Sequence, residues 1–190
     1  VASVDENGKV TAKAAGTAVI TATSAAGKTA QYKLTVKTPS VKLNASAKTL
    51  YVKGSPATVT LKATTAGVTG KVTYTSSKPS VAAVAANGKV TAKAAGTAVI
   101  TAKCGNYKAT CKITVKKPTV KASASAKTVF VGGTSQIKVE KTGVSGKVTY
   151  TSSNKSVAVV SAGGKVTAKK AGTATITVKC GSYKATCRIT

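Results

Sequence analysis

Hydrophobic and polar residues alternate with a period of two along most of this chain. Val90 and Ala92 would point to one face of an extended segment, while Lys89 and Thr91 would point to the other. Such alternation is typical of half-buried β-strands, and no stretch keeps the period of about 3.6 residues expected of an amphipathic helix. The segment 97–103 is rich in β-branched residues, which favour strands. The pattern predicts an all-β fold with almost no helix.

The same alternating pattern occurs three times. It begins at Val1, returns at Val81 and returns again, slightly altered, at Val157. The last two copies are 76 residues apart (157 − 81), too long for a solenoid repeat and suitable for a small β-domain in tandem. In the second copy a short strand ends at Asn87-Gly88, the kind of dipeptide that most strongly indicates a hairpin.

Short joints containing proline divide the chain at two equivalent places, around Pro39 and Pro118. Because proline restricts φ, such a joint is a stiff hinge. We expect two complete domains, 38–116 and 117–190, preceded by the C-terminal half of a domain, 1–37. Each complete domain holds about seven short strands with regular turns, which predicts tandem antiparallel β-sandwiches of the immunoglobulin type.

The half domain, 1–37, aligns only with the second half of the later copies. So short a stretch of hairpin cannot close a two-layer core alone. Either the sequence is a segment of a longer chain, which we favour, or another chain supplies the missing strands.

Charge is the most extreme feature of the composition: 30 basic residues stand against three acidic ones, for a net charge of +27. Net charge bears on solubility and partners rather than on fold. The lysines either form a solvated face that blocks sheet-to-sheet aggregation or bind a polyanion such as teichoic acid, lipopolysaccharide or an acidic glycan, because ordinary surfaces mix both signs. The candidate contacts, all on predicted outward faces, are Lys71, Lys89, Lys93, Lys103, Lys112 and Lys116.

Other partners are constrained by the scarcity of arginine and aromatic residues. Arg188 is the one arginine, so forked recognition of phosphates or bases has little scope, and we expect no sequence-specific nucleic-acid binding. No apolar run is long enough to predict a transmembrane segment. Loops at one end of a sandwich could instead bind carbohydrate, although the same residues suit ordinary turns. The candidate glycan contacts are Asn106, Tyr107, Ser182 and Tyr183.

The four cysteines form two pairs with the same spacing, Cys104 with Cys111 and Cys180 with Cys187. Counting by twos from neighbouring apolar residues places all of them on inward faces of adjacent strands. We therefore expect a disulfide within each complete domain, and with it an oxidising, extracytoplasmic setting. Packed, reduced thiols are the alternative. A zinc site would need four ligands, and the chain has no histidine.

Catalytic chemistry has little to rest on in this composition. Without histidine there is no Ser-His-Asp triad, and Asp5, Glu6 and Glu140 are too few for paired carboxylates or a calcium site. We expect no enzyme, no metal and no cofactor.

A long motif recurs in both complete domains. From Tyr74 onward it reads Tyr-Thr-Ser-Ser-x-x-Ser-Val-Ala-x-Val, followed by Asn-Gly-Lys-Val-Thr-Ala-Lys-x-Ala-Gly-Thr-Ala-x-Ile-Thr; the copy from Tyr150 onward has Gly163 in place of the Asn. It resembles the group 2 bacterial immunoglobulin-like domain, although Tyr74 and Tyr150 stand where this family often carries Trp. Because the family occurs in surface adhesins, stalk repeats of exported proteins and phage virion proteins, the resemblance implies a non-catalytic extracellular module. Such a module would neighbour other Ig-like domains and serve as a stalk, an adhesion module or a virion scaffold.

Overall fold

The computed structural model describes all residues from 1 to 190, and it contains twenty β-strands and no helix. The prediction of an all-β fold is confirmed. We refer to residues 1–37, 38–116 and 117–190 as unit 1, unit 2 and unit 3; the boundaries themselves stay a prediction.

Unit 1 consists of two hairpins, β1 (Ala2–Val4) with β2 (Val10–Ala12) and β3 (Gly16–Thr23) with β4 (Thr29–Val36). None of its residues is buried, and Tyr32 is 68% exposed. Tyr32 aligns with Cys111, which is fully buried in unit 2. Unit 1 therefore forms the expected strands without a core of its own.

Unit 2 contains nine strands: β5 (Ser40–Leu43), β6 (Ala47–Tyr51), β7 (Thr58–Thr60), β8 (Ala63–Ala66), β9 (Thr73–Ser76), β10 (Ala82–Val84), β11 (Lys89–Ala92), β12 (Gly96–Cys104) and β13 (Tyr107–Lys116). One layer is the sheet β6-β13-β12-β9, and the other consists of β10-β11-β7 and the pair β5-β8. Strand β6 runs parallel to β13, whereas all other pairs are antiparallel as predicted.

Unit 3 contains seven strands: β14 (Thr119–Ala124), β15 (Thr134–Thr142), β16 (Val148–Ser152), β17 (Ala158–Val160), β18 (Lys165–Ala168), β19 (Ala174–Cys180) and β20 (Tyr183–Ile189). They form the sheets β14-β15-β18-β17 and β16-β19-β20. The segment equivalent to β6 lies beside the end of the chain, because the Val129 amide donates to the Thr190 carbonyl (2.8 Å) and the Thr190 amide to the Lys127 carbonyl (2.8 Å).

The second layer of unit 2 is interrupted at Leu61, where unit 3 has one continuous strand. The Asn44 side chain accepts a hydrogen bond from the Lys62 amide (3.0 Å). Short amide side chains compete in this way with the regular ladder. Unit 3 has Ser123 at the position of Asn44 and keeps its ladder, with Ser123 opposite Lys138.

Each complete unit has its own buried cluster, one centred on Ile100 and Ile113 in unit 2 and one on Ile176 and Ile189 in unit 3. Neither cluster draws buried residues from both units. The predicted hairpin at Asn87-Gly88 is present, but only Gly88 adopts a positive φ (79°). A side chain at Gly88 would overlap the Leu61 carbonyl oxygen and crowd the ring of Tyr74, whose hydroxyl accepts a hydrogen bond from the Ala63 amide (3.0 Å).

Candidate functional site

A turn that follows β6 in unit 2 carries the main contact with unit 3. The Gly54 amide donates to the Tyr51 carbonyl (3.2 Å), and Lys53 adopts a positive φ of 51°, the one such value at a non-glycine residue. A positive φ at the third residue of a hydrogen-bonded four-residue turn is typical of type II. The turn directs the ring of Tyr51 toward unit 3.

Gly143, at the first turn after β15, receives the Tyr51 ring. A Cβ added at Gly143 would overlap that ring, so only glycine permits this approach. The Ser55 amide donates to the Gly143 carbonyl (2.9 Å), and the Tyr183 hydroxyl donates to the Lys53 carbonyl (3.1 Å). We call these contacts the Tyr51 joint; they fix the two units by packing and by hydrogen bonds together.

A small cleft lies beside the Tyr51 joint. Its volume is about 150 Å³, and it is lined from both units, by Lys53 and Gly54 on one side and by residues including Val144, Cys180 and Tyr183 on the other. The lining holds one charged side chain and no acid–base pair. These lining residues indicate a packing gap between the two units rather than a catalytic site.

The six lysines proposed to contact a polyanion are all exposed, as predicted. They do not form one patch on one strand pair. Lys103, Lys112 and Lys116 lie on β12 and β13, whereas Lys89 lies on β11 in the opposite layer. Lys71 and Lys93 lie in connections between strands.

Lys108 was not among the candidates predicted from the sequence, yet it faces Lys103 directly across the β12-β13 hairpin. We call Lys103, Lys108, Lys112 and Lys116 the lysine face of unit 2. Lys179 and Lys184 form the equivalent directly opposed pair in unit 3. Counting by twos back from Lys112 along β13 would have found Lys108, because Thr110 and Lys108 share its outward phase. Because the Cα atoms of directly opposed residues lie about 5 Å apart, like charges on such a pair repel one another.

The predicted disulfides are wrong. Cys104 lies opposite Tyr107, and Cys111 lies opposite Ile100, so the two cysteines are four positions apart along the hairpin. At about 3.4 Å per residue that separation is about 14 Å, well beyond the reach of a disulfide. Cys180 and Cys187 have the same offset, and all four cysteines are free and buried.

Two of the buried thiols, those of Cys104 and Cys180, contact backbone carbonyls of neighbouring loops instead. Cys104 Sγ lies 3.3 Å from the Gly70 carbonyl oxygen, and Cys180 Sγ lies 3.3 Å from the Gly146 carbonyl oxygen. Cys180 thereby ties down the loop whose first residue, Gly143, receives Tyr51. Burial raises the pKa of the Cys111 thiol, and the positive charge of Lys48 partly offsets that shift.

The candidate glycan contacts occupy two separate hairpin tips. Asn106 and Tyr107 are exposed at the tip of β12-β13. Ser182 is exposed at the tip of β19-β20, but its neighbour Tyr183 is half-buried and bonded to Lys53. Tyr183 therefore belongs to the Tyr51 joint, and the glycan-binding role stays a prediction.

No three or more cysteine or carboxylate side chains come together in a group that could hold a metal ion. Another cleft, of about 320 Å³, lies beside Tyr150 and Lys155. The fold contains no helix that is long and apolar enough to cross a membrane.

Two family models match the chain: one described as bacterial Ig-like domain over residues 70–117, and one described as bacterial Ig-like domain (group 2) over residues 114–189. No curated protein shows a significant match. Domains 1–6 of the surface layer protein SbsC align at 21% identity and a TM-score of 0.50, over 99% of this chain and 36% of that one. Domains 4 and 5 of the same S-layer protein align at 25% identity and a TM-score of 0.47, over 80% of this chain and 96% of that one.

Titin provides a more distant similarity. Its I9–I11 tandem aligns at 15% identity and a TM-score of 0.47, over 79% of this chain and 65% of that one. The similarity to SbsC domains 1–6 concerns the fold alone.

Proposed function

Because the chain belongs to the bacterial Ig-like domain family, we propose that it acts as a non-catalytic scaffold in the exported part of a surface, adhesion or virion protein. The Tyr51 joint is the observation that carries this proposal. A ring seated on a glycine, with two hydrogen bonds beside it, resists bending between units 2 and 3. A chain of units joined in this way would hold whatever lies at its end at a fixed distance.

The extracellular location rests on the family and not on the cysteines. Free, buried thiols carry no information about an oxidising compartment, in contrast to the disulfides that we expected. The family resemblance remains the support for export.

Solution scattering tests the scaffold. We expect an elongated particle whose longest dimension stays constant between low and moderate salt, because the joint is made by packing and neutral hydrogen bonds rather than by charge. A compact particle, with unit 3 folded back on unit 2, would contradict the proposal.

A second function, loose binding of a polyanion, is favoured by the opposed pairs Lys103 with Lys108 and Lys179 with Lys184. Repulsion within each pair would be relieved by an anionic polymer lying across the sheet, with affinity arising from released counterions. Teichoic acid, lipopolysaccharide and acidic glycans all fit this chemistry, because lysine acts as a point charge without forked geometry.

Titration with lipoteichoic acid, heparin and duplex DNA at two salt concentrations tests this second function. With DNA, Lys103→Gln plus Lys108→Gln should lower the slope of log affinity against log salt by about 0.9 for each phosphate that the protein no longer neutralises. The matched control is Lys89→Gln plus Lys93→Gln, away from the lysine face, which should leave the slope unchanged. Equal effects of both pairs, or no binding at low salt, would exclude a role for this face.

A further inference from the structure

Phe130 is the most exposed large apolar side chain in the molecule, at 90%, and Val131 beside it is 63% exposed. Both follow the segment that pairs with the last residue of the chain, at one end of unit 3. Large apolar residues exposed side by side indicate an interaction surface more often than scattered single ones do.

The internal repeat identifies what this surface corresponds to in unit 2. Thr128-Val129-Phe130-Val131 aligns with Thr49-Leu50-Tyr51-Val52, and Val129 lies beside the last strand as Leu50 does. Phe130 therefore occupies the position of Tyr51, which is half-buried because it contacts Gly143.

The local backbone agrees with this alignment. The Gly133 amide donates to the Phe130 carbonyl (2.8 Å), as the Gly54 amide donates to the Tyr51 carbonyl (3.2 Å). Gly132 has a φ of 82°, where Lys53 has 51°. The aromatic residue thus begins the same kind of turn in both units.

We propose that Phe130 and Val131 form a docking site for the glycine-loop end of another unit of this repeat. Three residues of unit 3 contact the turn at Tyr51: Gly143 at the ring, Tyr183 at the Lys53 carbonyl and Pro118 at Gly54. Unit 2 carries the same residue types at the equivalent positions, Gly67, Tyr107 and Pro39. Each complete unit of this chain thus has an aromatic turn at one end and a glycine loop at the other. Phe130 begins the aromatic turn of unit 3, and no glycine loop packs against it in this chain.

The Phe130 joint would be weaker than the Tyr51 joint. The Gly132 carbonyl can replace that of Lys53 as acceptor for a tyrosine hydroxyl. The loop after Phe130, however, is three residues shorter than the loop after Tyr51. The Gly133 carbonyl accepts a hydrogen bond from the Ala168 amide, and the Ala57 carbonyl accepts the equivalent bond from the Ala92 amide, so Gly133 and Ala57 mark the same point in the two units. The loop consequently offers no equivalent of the Ser55 amide that binds Gly143.

A tryptophan reporter tests the docking site, since the natural sequence contains no tryptophan. Phe130→Trp in the present chain should emit as an exposed indole. In an extended chain, a second copy of residues 115–190 is joined directly after Thr190. Val115 of the copy then follows Thr190 as Val115 follows Thr114 in the present sequence. In this extended chain the emission should shift to shorter wavelength, and quenching by acrylamide should fall. The added copy keeps Phe130, so the indole reports the junction alone. Amide exchange in the added β19 shows whether the added unit is folded.

The matched control is the same extended chain with Gly143→Ala in the added copy, which should return the emission to that of an exposed indole. An emission that does not change when the folded unit is added, or a shift that survives this substitution, would overturn the docking site.

The inference rests on the proposed scaffold, and the two can fail separately. Tyr51→Trp in the present chain reports the joint between units 2 and 3. A shielded indole in the Tyr51→Trp variant, together with an exposed indole in the extended Phe130→Trp chain, would reject the docking site alone. An exposed indole in the Tyr51→Trp variant would reject the scaffold as well.

Discussion

The ring of Tyr51 lies on the backbone of Gly143 so closely that no Cβ fits between them. This contact joins two sandwiches whose cores are otherwise separate. A turn glycine of unit 3 thus provides the surface on which an aromatic ring of unit 2 packs.

Gly143→Ala should open this joint without disturbing either core. The added methyl group would overlap the Tyr51 ring, so the Ser55 amide would lose its bond to Gly143 and exchange with solvent faster. Gly67→Ala is the matched control: Gly67 has a similar φ (62° against 66°), but the nearest atoms to its added Cβ lie 3.6 Å away, in Pro39. If both substitutions accelerated exchange at Ser55 equally, local strain and not the joint would be the cause.

Thiol titration tests whether the four cysteines are free. We expect the native protein to react slowly with a thiol reagent, because all four sulfhydryl groups are buried, and the unfolded protein to show four thiols. Protein purified without reductant that showed no free thiol after unfolding would restore the disulfide hypothesis.

The raised pKa of Cys111 predicts a loss of stability at alkaline pH. The neutral thiol is favoured by folding, so its contribution is fully present below the unfolded pKa, near 9.0, and is lost as the pH rises through the folded pKa. The free energy of unfolding of unit 2 should therefore fall above about pH 9. Urea titrations of wild type and Cys111→Ala, compared at each pH, isolate this contribution; parallel curves would show that folding does not raise the pKa of Cys111.

Tyr74→Phe should destabilise unit 2 by about 1–3 kcal/mol, because the half-buried Ala63 amide would lose the hydroxyl that accepts its hydrogen bond, beside the break at Leu61. Tyr150→Phe is the matched control in unit 3, where the continuous β15 has no such break. Hydrogen exchange of the β12 and β19 amides measures each unit separately. An equal loss in both units would attribute the effect to packing of the tyrosine rather than to its hydrogen bond.

The alternation of residues was sufficient to predict strands, because a half-buried strand must place every second side chain in the core. The Asn87-Gly88 dipeptide was sufficient to predict a hairpin, because few other residue pairs form so tight a turn. The alternation could not predict the disulfide geometry correctly, since counting by twos gives the face of a residue but not its register. The tight Gly105-Asn106 turn places Cys104 opposite Tyr107 and leaves Cys111 four positions further along the strand.

The Tyr51 joint could not be read from local patterns either. Gly143 has the sequence signature of an ordinary turn, and nothing near it indicates an aromatic ring from another unit. A weak signal was available in the repeat, where Tyr51 and Phe130 are aromatic residues at matching positions that the core does not require. The parallel pairing of β6 likewise depends on the path of a long connection and not on residue period.

Residual dipolar couplings of backbone amides in 38–116 and 117–190 test the scaffold most directly. If the Tyr51 joint is rigid, the couplings of both units fit one alignment tensor with the same magnitude and orientation. Two tensors of clearly different magnitude would show that the units reorient independently, and would contradict the scaffold.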